Sequence, residues 1–149
     1  NMTEDQLAID KEIDPTPEIA FVKARVQSFG SHWPYDTQTG AACTSDKLAA
    51  AGFFYSGTRE DPASATCAFC LKEMVFDDTD EPWDEHVSHS KDCMFVTMGE
   101  QDELRMTVEQ VLTLIGYRKS RLLRKWSETL VDKLTEATAY ITEDIKLPK

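Results

Sequence analysis

Three cysteines and one histidine in the middle of the chain have the spacing of a metal site. Their order is C-x2-C-x15-H-x6-C, formed by Cys67, Cys70, His86 and Cys93. A C-x2-C pair places two thiolates at one tight turn, and the other two residues complete a tetrahedral set of soft ligands that suits Zn²⁺. Because four protein ligands leave no position for water or substrate, we expect this zinc to be structural and not catalytic.

Other interpretations of these residues remain open in the sequence. A C-x-x-C pair can be a redox site, but that use needs a preceding strand and a following helix, and both flanks here have short β-type patterns. His89 lies one helical turn after His86 and competes with Cys93 for the role of fourth ligand. The remaining cysteine, Cys43, has no ligand-spaced companion and is interpreted as a small buried hydrophobic residue.

The charge of the chain is distributed unevenly. Residues 1–104 contain 7 Lys and Arg against 21 Asp and Glu, whereas residues 105–149 contain 9 against 6. So acidic a domain is a poor candidate for binding duplex DNA and a plausible one for a basic peptide. The sequence has no apolar run near the ~20 residues that span a bilayer and no signal-peptide pattern. With cysteines at zinc spacing, this indicates a reducing compartment, the nucleus or cytoplasm.

Hydrophobic periodicity and capping residues divide the chain into four parts. Residues 1–16 are acidic and weakly patterned, and are predicted to be a disordered lead-in. Residues 17–98 are predicted to form the zinc domain, an α+β fold in which short helices accompany a three-stranded antiparallel sheet. Residues 99–106 are interpreted as a linker, and residues 107–146 as one long amphipathic helix.

The first half of the zinc domain contains two helix signals. Thr16 is predicted to cap a helix that begins at Pro17 and has an apolar face of Ile19, Val22, Val26 and Phe29. Arg25 lies beside that face and is either solvated or a buried, paired structural residue. A short second helix is predicted to begin after a cap at Thr44 or Ser45 and to end at Gly52 in a left-handed conformation.

The second half of the zinc domain is predicted to continue with strands and one more helix. The run from Met74 to Phe76 is interpreted as the third strand. Asp80 or Thr79 is predicted to cap a helix that starts near Pro82 and carries His86 and His89. That helix must end before Cys93, so that the chain can return to the metal.

The C-terminal helix is predicted from a capping box at Thr107 and Gln110 and from a long apolar stripe. A helix of this length extends roughly 60 Å, which is more than the zinc domain can cover, so the exposed stripe indicates partner helices. Packing back on the zinc domain, or self-pairing, is the alternative. The stripe is broken at Arg118 and Lys119, and consists of Val108, Val111, Ile115, Leu122, Trp126, Leu130, Leu134, Ala137, Ile141 and Ile145.

Five cations occur within eight residues of this helix. They form either an ordinary solvated face or a surface for acidic partner chains or the phosphate of chromatin. The sequence favours neither interpretation. The five residues are Arg118, Lys119, Arg121, Arg124 and Lys125.

These features together resemble the baculoviral IAP repeat (BIR) family over about residues 17–98. The single repeat followed by one long helix is similar to the survivin branch of that family, in an invertebrate form. The residues that carry the resemblance are Arg25, Ser28, Phe29, Trp33, Pro34, the run 48–55 except its third residue, Cys67, Cys70, Pro82, Glu85, His86, Ser90 and Cys93.

The resemblance implies a function that the spacing alone does not. It implies a non-enzymatic targeting subunit of the chromosomal passenger complex, found in the nucleus, at centromeres, at the spindle midzone and in the cytoplasm. The long helix would bundle with borealin and with the inner centromere protein, which carries Aurora B kinase. The repeat would bind the free N-terminus of a phosphorylated histone tail, and could also form a homodimer. The alternative is an inhibitor of apoptosis that binds Ala-first peptides of caspases or their antagonists.

The resemblance also implies peptide-binding residues. Asp80 matches the carboxylate for the terminal ammonium group, His89 and Lys72 match the phosphate-side contacts, and Met74 and Phe76 match the walls of the first-residue pocket. Two departures stand out in this sequence. The third strand is one residue shorter and has Phe76 in place of a Trp, and a second amine-binding Glu is missing near Val75, where Asp77 or Asp78 can substitute.

Overall fold

The computed structural model describes residues 3–144, with side chains described as far as Ile141. Short 3₁₀ turns occur at Pro17–Ala20 and Glu103–Arg105. Within residues 3–144, no helix has the length and apolar character needed to cross a membrane. In chain order the helices and strands are α1 (Glu4–Ile13), α2 (Val22–Phe29), α3 (Ser45–Ala50), β1 (Phe53–Tyr55), β2 (Ser64–Cys67), β3 (Glu73–Val75), α4 (Pro82–His89), α5 (Met94–Met98) and α6 (Val108–Asp144).

The three strands form one antiparallel sheet in the order β1-β2-β3. Phe53 pairs with Cys67 across β1 and β2, and Ser64 pairs with Val75 across β2 and β3. The predicted α+β fold class, a small sheet with short helices and one long C-terminal helix, is therefore confirmed. The third strand begins and ends one residue earlier than predicted, because Phe76 turns its ring into the core.

An aromatic cluster forms the core on one side of the sheet. The rings of Phe29 and Trp33 meet edge to face with centroids 5.4 Å apart, and Phe53 and Phe76 do so at 5.1 Å. The Trp33 indole donates a hydrogen bond of 2.8 Å to the carbonyl of Cys43. Cys43 is fully buried, as predicted for a hydrophobic residue outside the metal site.

The prediction of one helix from Pro17 to Phe29 is wrong in one respect, because the helix is interrupted at Phe21. Phe21 has an extended backbone, and Thr16 makes no side-chain cap. The break leaves carbonyl groups without helical partners, and Arg25 satisfies two of them, donating 3.2 Å to Ile19 and 2.7 Å to Ala20.

Arg25 is buried in this helix, as is Phe29, whereas Val26 is exposed. Its Nε atom also donates 2.9 Å to the carbonyl of Ala49 in α3. Burial lowers the pKa of Arg25 to about 10, so the guanidinium stays charged at neutral pH. Of the two alternatives from the sequence, the structure shows the buried one, with backbone carbonyls as its hydrogen-bond partners.

The N-terminal segment is helical, so the predicted disorder of residues 1–16 is wrong for residues 4–13. Thr3 caps α1 by accepting a hydrogen bond of 3.3 Å from the amide of Gln6. The segment then docks on α6, where Trp126 donates 3.3 Å to Glu12 and Asp14 pairs with Arg118. Residues 1 and 2 lie outside the described residues.

Residues 99–106, interpreted from the sequence as a linker, connect α5 to α6 and also contact the zinc domain. Glu103 accepts a hydrogen bond of 2.7 Å from the amide of Val22, an amide at the first turn of α2 that has no helical partner. The capping box that follows is confirmed, with Gln110 donating 3.2 Å to the Thr107 hydroxyl and Thr107 donating 2.8 Å to the Gln110 side chain. The long helix is confirmed as far as Asp144; Ile145 and the predicted end at 146 lie outside the described residues.

The predicted caps of the short helices have mixed outcomes. Thr44 caps α3, accepting 3.4 Å from the amide of Lys47, and Gly52 has φ +97° as predicted. Neither Asp80 nor Thr79 caps α4, because Glu81 occupies that position. Asp80 instead accepts a hydrogen bond of 2.7 Å from the amide of Asp77, which closes a turn in front of the helix.

We predict that Gly52→Ala destabilises the fold by about 3 kcal/mol, the sum of left-handed strain and overpacking. A Cβ atom at this position would lie 3.0 Å from two ring atoms of Phe95. The matched control is Gly40→Ala, where φ is +83° but nothing lies within 4 Å of the added atom. That variant should lose only about 1 kcal/mol in urea unfolding of the metal-loaded protein. Equal losses would show that the approach of Phe95 does not matter.

Candidate metal centre and peptide-binding surface

Four different elements supply the residues of the candidate metal centre. Cys67 ends β2, Cys70 lies in the turn to β3, His86 lies in α4 and Cys93 directly precedes α5. We call residues 67–72 the ligand turn. Hydrogen bonds of 2.9 Å from the Cys67 amide to Lys72 and 3.0 Å from the Leu71 amide to Cys67 close it.

The ligand atoms of all four residues lie within 4.8 Å of one another. The sulfur atoms of Cys67 and Cys93 are 4.0 Å apart, and Cys70 Sγ is 3.8 Å from His86 Nε2. Two ligands at ~2.3 Å from a tetrahedral zinc ion are roughly 3.8 Å apart. The structure therefore brings the four predicted residues together at a spacing that fits Zn²⁺.

Neighbouring groups orient these ligands. His86 donates a hydrogen bond of 2.7 Å from Nδ1 to the carbonyl of Ala51, which leaves Nε2 facing the cysteines. The amides of Phe69 and Cys70 donate to the sulfur of Cys67 at 3.3 and 3.4 Å. Such bonds stabilise a thiolate, the form that binds a metal.

The electrostatics of the cluster favour a bound cation. Burial raises the pKa of Cys67, whereas hydrogen bonds from Cys67 and Cys93 lower that of Cys70 well below its usual value. Burial lowers the pKa of His86, but its interactions with Cys70 and Cys93 outweigh burial and raise it to about 9 in the metal-free site. The cluster thus holds negative charge that a proton on His86 partly balances, and Zn²⁺ would balance most of the charge of three thiolates.

The two alternatives for the ligand residues do not fit this geometry. His89 is exposed, and its Nδ1 atom lies 3.3 Å from the carboxylate of Glu85 instead of in the cluster. The C-x-x-C pair lies within the hairpin between β2 and β3, without the following helix that a redox pair requires. Cys93 is thus the fourth residue of the site.

Of the residues predicted to bind a peptide, Met74, Phe76 and Asp80 lie in β3 and the loop after it, whereas Lys72 directly precedes β3 and His89 ends α4. Lys72 donates a hydrogen bond of 2.6 Å to the carbonyl of His89, so these two residues are adjacent. Met74 is half-buried, and Val75 is 63% exposed on this edge strand. Asp80 lies in the acidic loop between β3 and α4.

The prediction is wrong for Phe76, which is not a wall of an open groove. Its side chain is 1% exposed, with the rings of Phe53 and Trp33 against it at 5.1 and 6.4 Å. Side chains alternate along a strand, and the residue after β3 faces the core.

The apolar stripe of α6 divides into two halves. Val111 and Ile115 line a small cavity against Phe69 and Phe95 of the zinc domain. Leu122 and Trp126 are half-buried. Beyond them, Leu130, Leu134 and Ile141 are 37%, 66% and 58% exposed.

Sequence reasoning missed two buried residues of this helix. Leu114 is 3% exposed, and so is Arg118, which was interpreted as a break in the stripe. Arg118 lies between Ile115 and Leu122 at helical spacing, so the stripe itself contained the signal. Among the other cations, Arg121 lies over the ring of Tyr117 at 5.1 Å, and the remaining three are exposed.

Comparisons with known proteins agree with this site. The family model for the BIR, or Inhibitor of Apoptosis, domain matches residues 25–97. The Caenorhabditis elegans chromosomal passenger complex protein bir-1 is 38% identical over 97 residues, which cover 65% of this chain and 59% of that protein. The Xenopus laevis baculoviral IAP repeat-containing protein 5.1-B is 32% identical over 126 residues, covering 81% of this chain and 76% of that protein.

The fold and the cysteine–histidine cluster define a class of protein: a small domain of the zinc-binding type, followed by a long C-terminal helix. The chain belongs to the baculoviral IAP repeat family. A further relative, the C. elegans baculoviral IAP repeat-containing protein bir-2, is 38% identical over 117 residues. The chain spans 37% of the length of bir-2 and 59% of that of bir-1.

We predict that zinc affinity rises with pH between 6 and 8. Because the pKa of His86 in the metal-free site is raised to about 9, zinc must displace at least one proton across this range. The apparent association constant should therefore increase about tenfold or more per pH unit, measured by competition with a chromophoric chelator. His89→Ala should keep this slope, since that side chain lies outside the cluster. A pH-independent affinity would contradict the prediction.

Proposed function

We propose that this protein is a non-enzymatic adaptor that joins a peptide-binding zinc domain to a bundle of helices. A single structural zinc would hold the four-residue site. The long helix would associate with borealin-type and inner centromere protein-type helices, and so with Aurora B kinase indirectly. The zinc domain would bind the free N-terminus of a phosphorylated histone tail.

The observation that carries this proposal is the exposed second half of α6. The helix has 37 residues, and the zinc domain and α1 cover it only as far as Trp126. Beyond that point Leu130, Leu134 and Ile141 expose more than a third of their surface on one helix. Apolar side chains repeated at helical spacing outside a folded domain favour association with other helices.

The acidic loop between β3 and α4 supports the peptide-binding part of the proposal. Burial and the carboxylates of Asp77, Asp78 and Asp80 raise the pKa of Tyr35. These carboxylates therefore create a negative electrostatic potential at the start of the loop. A terminal ammonium group is stabilised in such a field, above all by a charge-assisted hydrogen bond to one carboxylate. Lys72 supplies a positive charge, and His89 a nitrogen-bearing side chain beside it, where a phosphate would bind.

Asp77 is the better substitute for the missing amine-binding Glu. The side chain of Asp78 accepts a hydrogen bond from Gln38, and its carbonyl accepts the amides of Ala42 and Cys43. Asp77 is exposed, and its amide is held by Asp80. The turn therefore places the Asp77 and Asp80 side chains on one short loop.

The relatives support the same cellular role. The name of bir-1 identifies it as a chromosomal passenger complex protein, and this chain is similar to it over the repeat. We extend that role to this chain, with localisation to mitotic centromeres, the spindle midzone, the nucleus and the cytoplasm.

The homodimer implied by the resemblance stays a prediction. The surface that suits it best is apolar and lies where α2, the 3₁₀ turn at Glu103–Arg105 and α6 meet. Phe21 is 43%, Leu104 is 96% and Val108 is 77% exposed there.

We predict that a histone-tail peptide with a free N-terminus binds the zinc domain and that acetylation of that terminus weakens binding. Asp80→Asn should lower affinity about 10- to 100-fold, the value of one charge-assisted hydrogen bond. Asp84→Asn is the matched control, since Asp84 is an exposed acid in the first turn of α4. Calorimetric titration with phosphorylated and unphosphorylated peptides measures both effects.

Two results of that titration would change the proposal. Equal affinity for the free and acetylated peptides would exclude an ammonium site at Asp80. Tighter binding of Ala-first peptides from caspase antagonists than of the histone tail would favour the alternative function, an inhibitor of apoptosis, which the description of the matching family model also names.

We predict that Leu134→Lys reduces binding to co-expressed borealin-type and inner centromere protein-type helices about tenfold or more, because the lysine would enter an apolar interface. Asp132→Lys is the control, since it places the same side chain on the opposite side of the helix. Both variants should keep the thermal stability of the zinc domain. If Leu134→Lys unfolds the domain instead, the second half of α6 belongs to the core.

A further inference from the structure

Three distant segments of the chain meet at the side chain of Arg118. In α6 this guanidinium donates 2.8 Å from Nη1 to the carbonyl of Ala68, which lies inside the ligand turn. It donates 3.1 Å from Nε and 2.8 Å from Nη2 to the two carboxylate oxygens of Asp14, and 3.4 Å to the carbonyl of Thr16.

This contact is buried and geometrically complete. The side chains of Arg118 and Asp14 are only 4% and 6% exposed. Asp14 also accepts a hydrogen bond of 3.2 Å from the Thr16 amide. Each of the three guanidinium nitrogens thus has an acceptor, and a planar fork is the group that reaches a carboxylate and a carbonyl at once.

The carbonyl of Ala68 lies at the metal site itself. Cys67 and Cys70 flank the residues 68 and 69, and the amide of Ala68 donates 2.9 Å to the carbonyl of Gly52. The segment between Cys67 and Cys70 is therefore held on one side by Gly52, which directly precedes β1, and on the other by Arg118 of α6.

We propose that Arg118 is a positioning residue that couples retention of the zinc ion to the seating of α6 and the N-terminal segment. Asp14 holds the guanidinium in place, and Ala68 transmits its position to the ligand turn. Coupling of this kind is reciprocal, so a variant that loosens the helix also loosens the metal site. This inference rests on the zinc site of the proposed function and is independent of the partner helices and the peptide.

The first test measures zinc transfer from the intact protein to a chromophoric chelator. Arg118→Met should release zinc about fivefold faster or more, the lower end of measured couplings between sites. Arg118→Lys should recover only part of the loss, because an ammonium group cannot bind Asp14 and Ala68 in the same planar arrangement. Arg124→Met is the matched control on the exposed surface of the same helix and should release zinc at the wild-type rate.

A second control separates positioning from general loss of stability. Phe29→Leu disturbs the aromatic core at a residue of α2 whose ring packs against Trp33 and Tyr55. Conditions are chosen at which this variant and Arg118→Met have the same fraction unfolded. If Arg118→Met then releases zinc no faster than Phe29→Leu, the proposed coupling is wrong.

A third measurement does not use zinc. In a double-mutant cycle, Asp14→Asn should speed hydrogen exchange of the α6 amides 111–122 about tenfold in the wild-type background, since it leaves a buried guanidinium without its counter-charge. It should have little effect in the Arg118→Met background. If the effects of the two substitutions on hydrogen exchange are additive, Asp14 and Arg118, 104 residues apart, do not act as a pair. If the wild-type protein holds no zinc but the two substitutions are still non-additive, the zinc site is wrong. The proposed coupling to zinc is then wrong too, and only the contact between Arg118 and Asp14 remains.

Discussion

The structure depends on one electrostatic constraint, the burial of three thiols and an imidazole at a single point. Cys67, His86 and Cys93 are at most 1% exposed, and negative charge is costly in such a place unless a cation balances it. The ligand turn meets this constraint with backbone amides that point at Cys67, while the carbonyl of Ala51 fixes the imidazole. A cation bound by these ligands would balance most of that charge and would join β2, α4 and α5 at one point.

Two buried arginines extend the same constraint outward from the ligand turn. Arg25 lies 5.4 Å from the ring centroid of Phe69, and binds two carbonyls at the break before α2 and a third in α3. Arg118 binds the carbonyl of Ala68 and the carboxylate of Asp14. Both charged groups use backbone acceptors, so each joins segments that the hydrophobic core alone would leave free to shift. A core this small gains specificity from such contacts, because apolar packing is not directional.

Most features that the sequence predicted correctly depend on residues a few positions apart, namely the cap at Thr44, the left-handed Gly52 and the reciprocal pair of Thr107 and Gln110. The ligand set spans residues 67–93, and it was predictable because its residue types and spacing are a metal-site signature in themselves. The failures have partners far away. Disorder was predicted for residues whose helix is stabilised by Arg118, more than a hundred positions later. A charged residue looks exposed in any local window, and only the tertiary structure supplies its counter-charge.

Arg118 also shows that the buried side of a helix is misjudged when only apolar residues are assigned to it. If it is included, the buried side of α6 runs without a gap from Val111 to Trp126, and the zinc domain with α1 covers that half. The first half of the helix is then a fixed part of the domain, and the second half projects from it. A helix anchored in this way would transmit the orientation of whatever binds its far end to the proposed peptide-binding surface, as the proposed adaptor function requires. A flexible linker at residues 99–106 would not transmit this orientation. The hydrogen bond that Glu103 accepts from the amide of Val22 fixes the segment to the zinc domain instead.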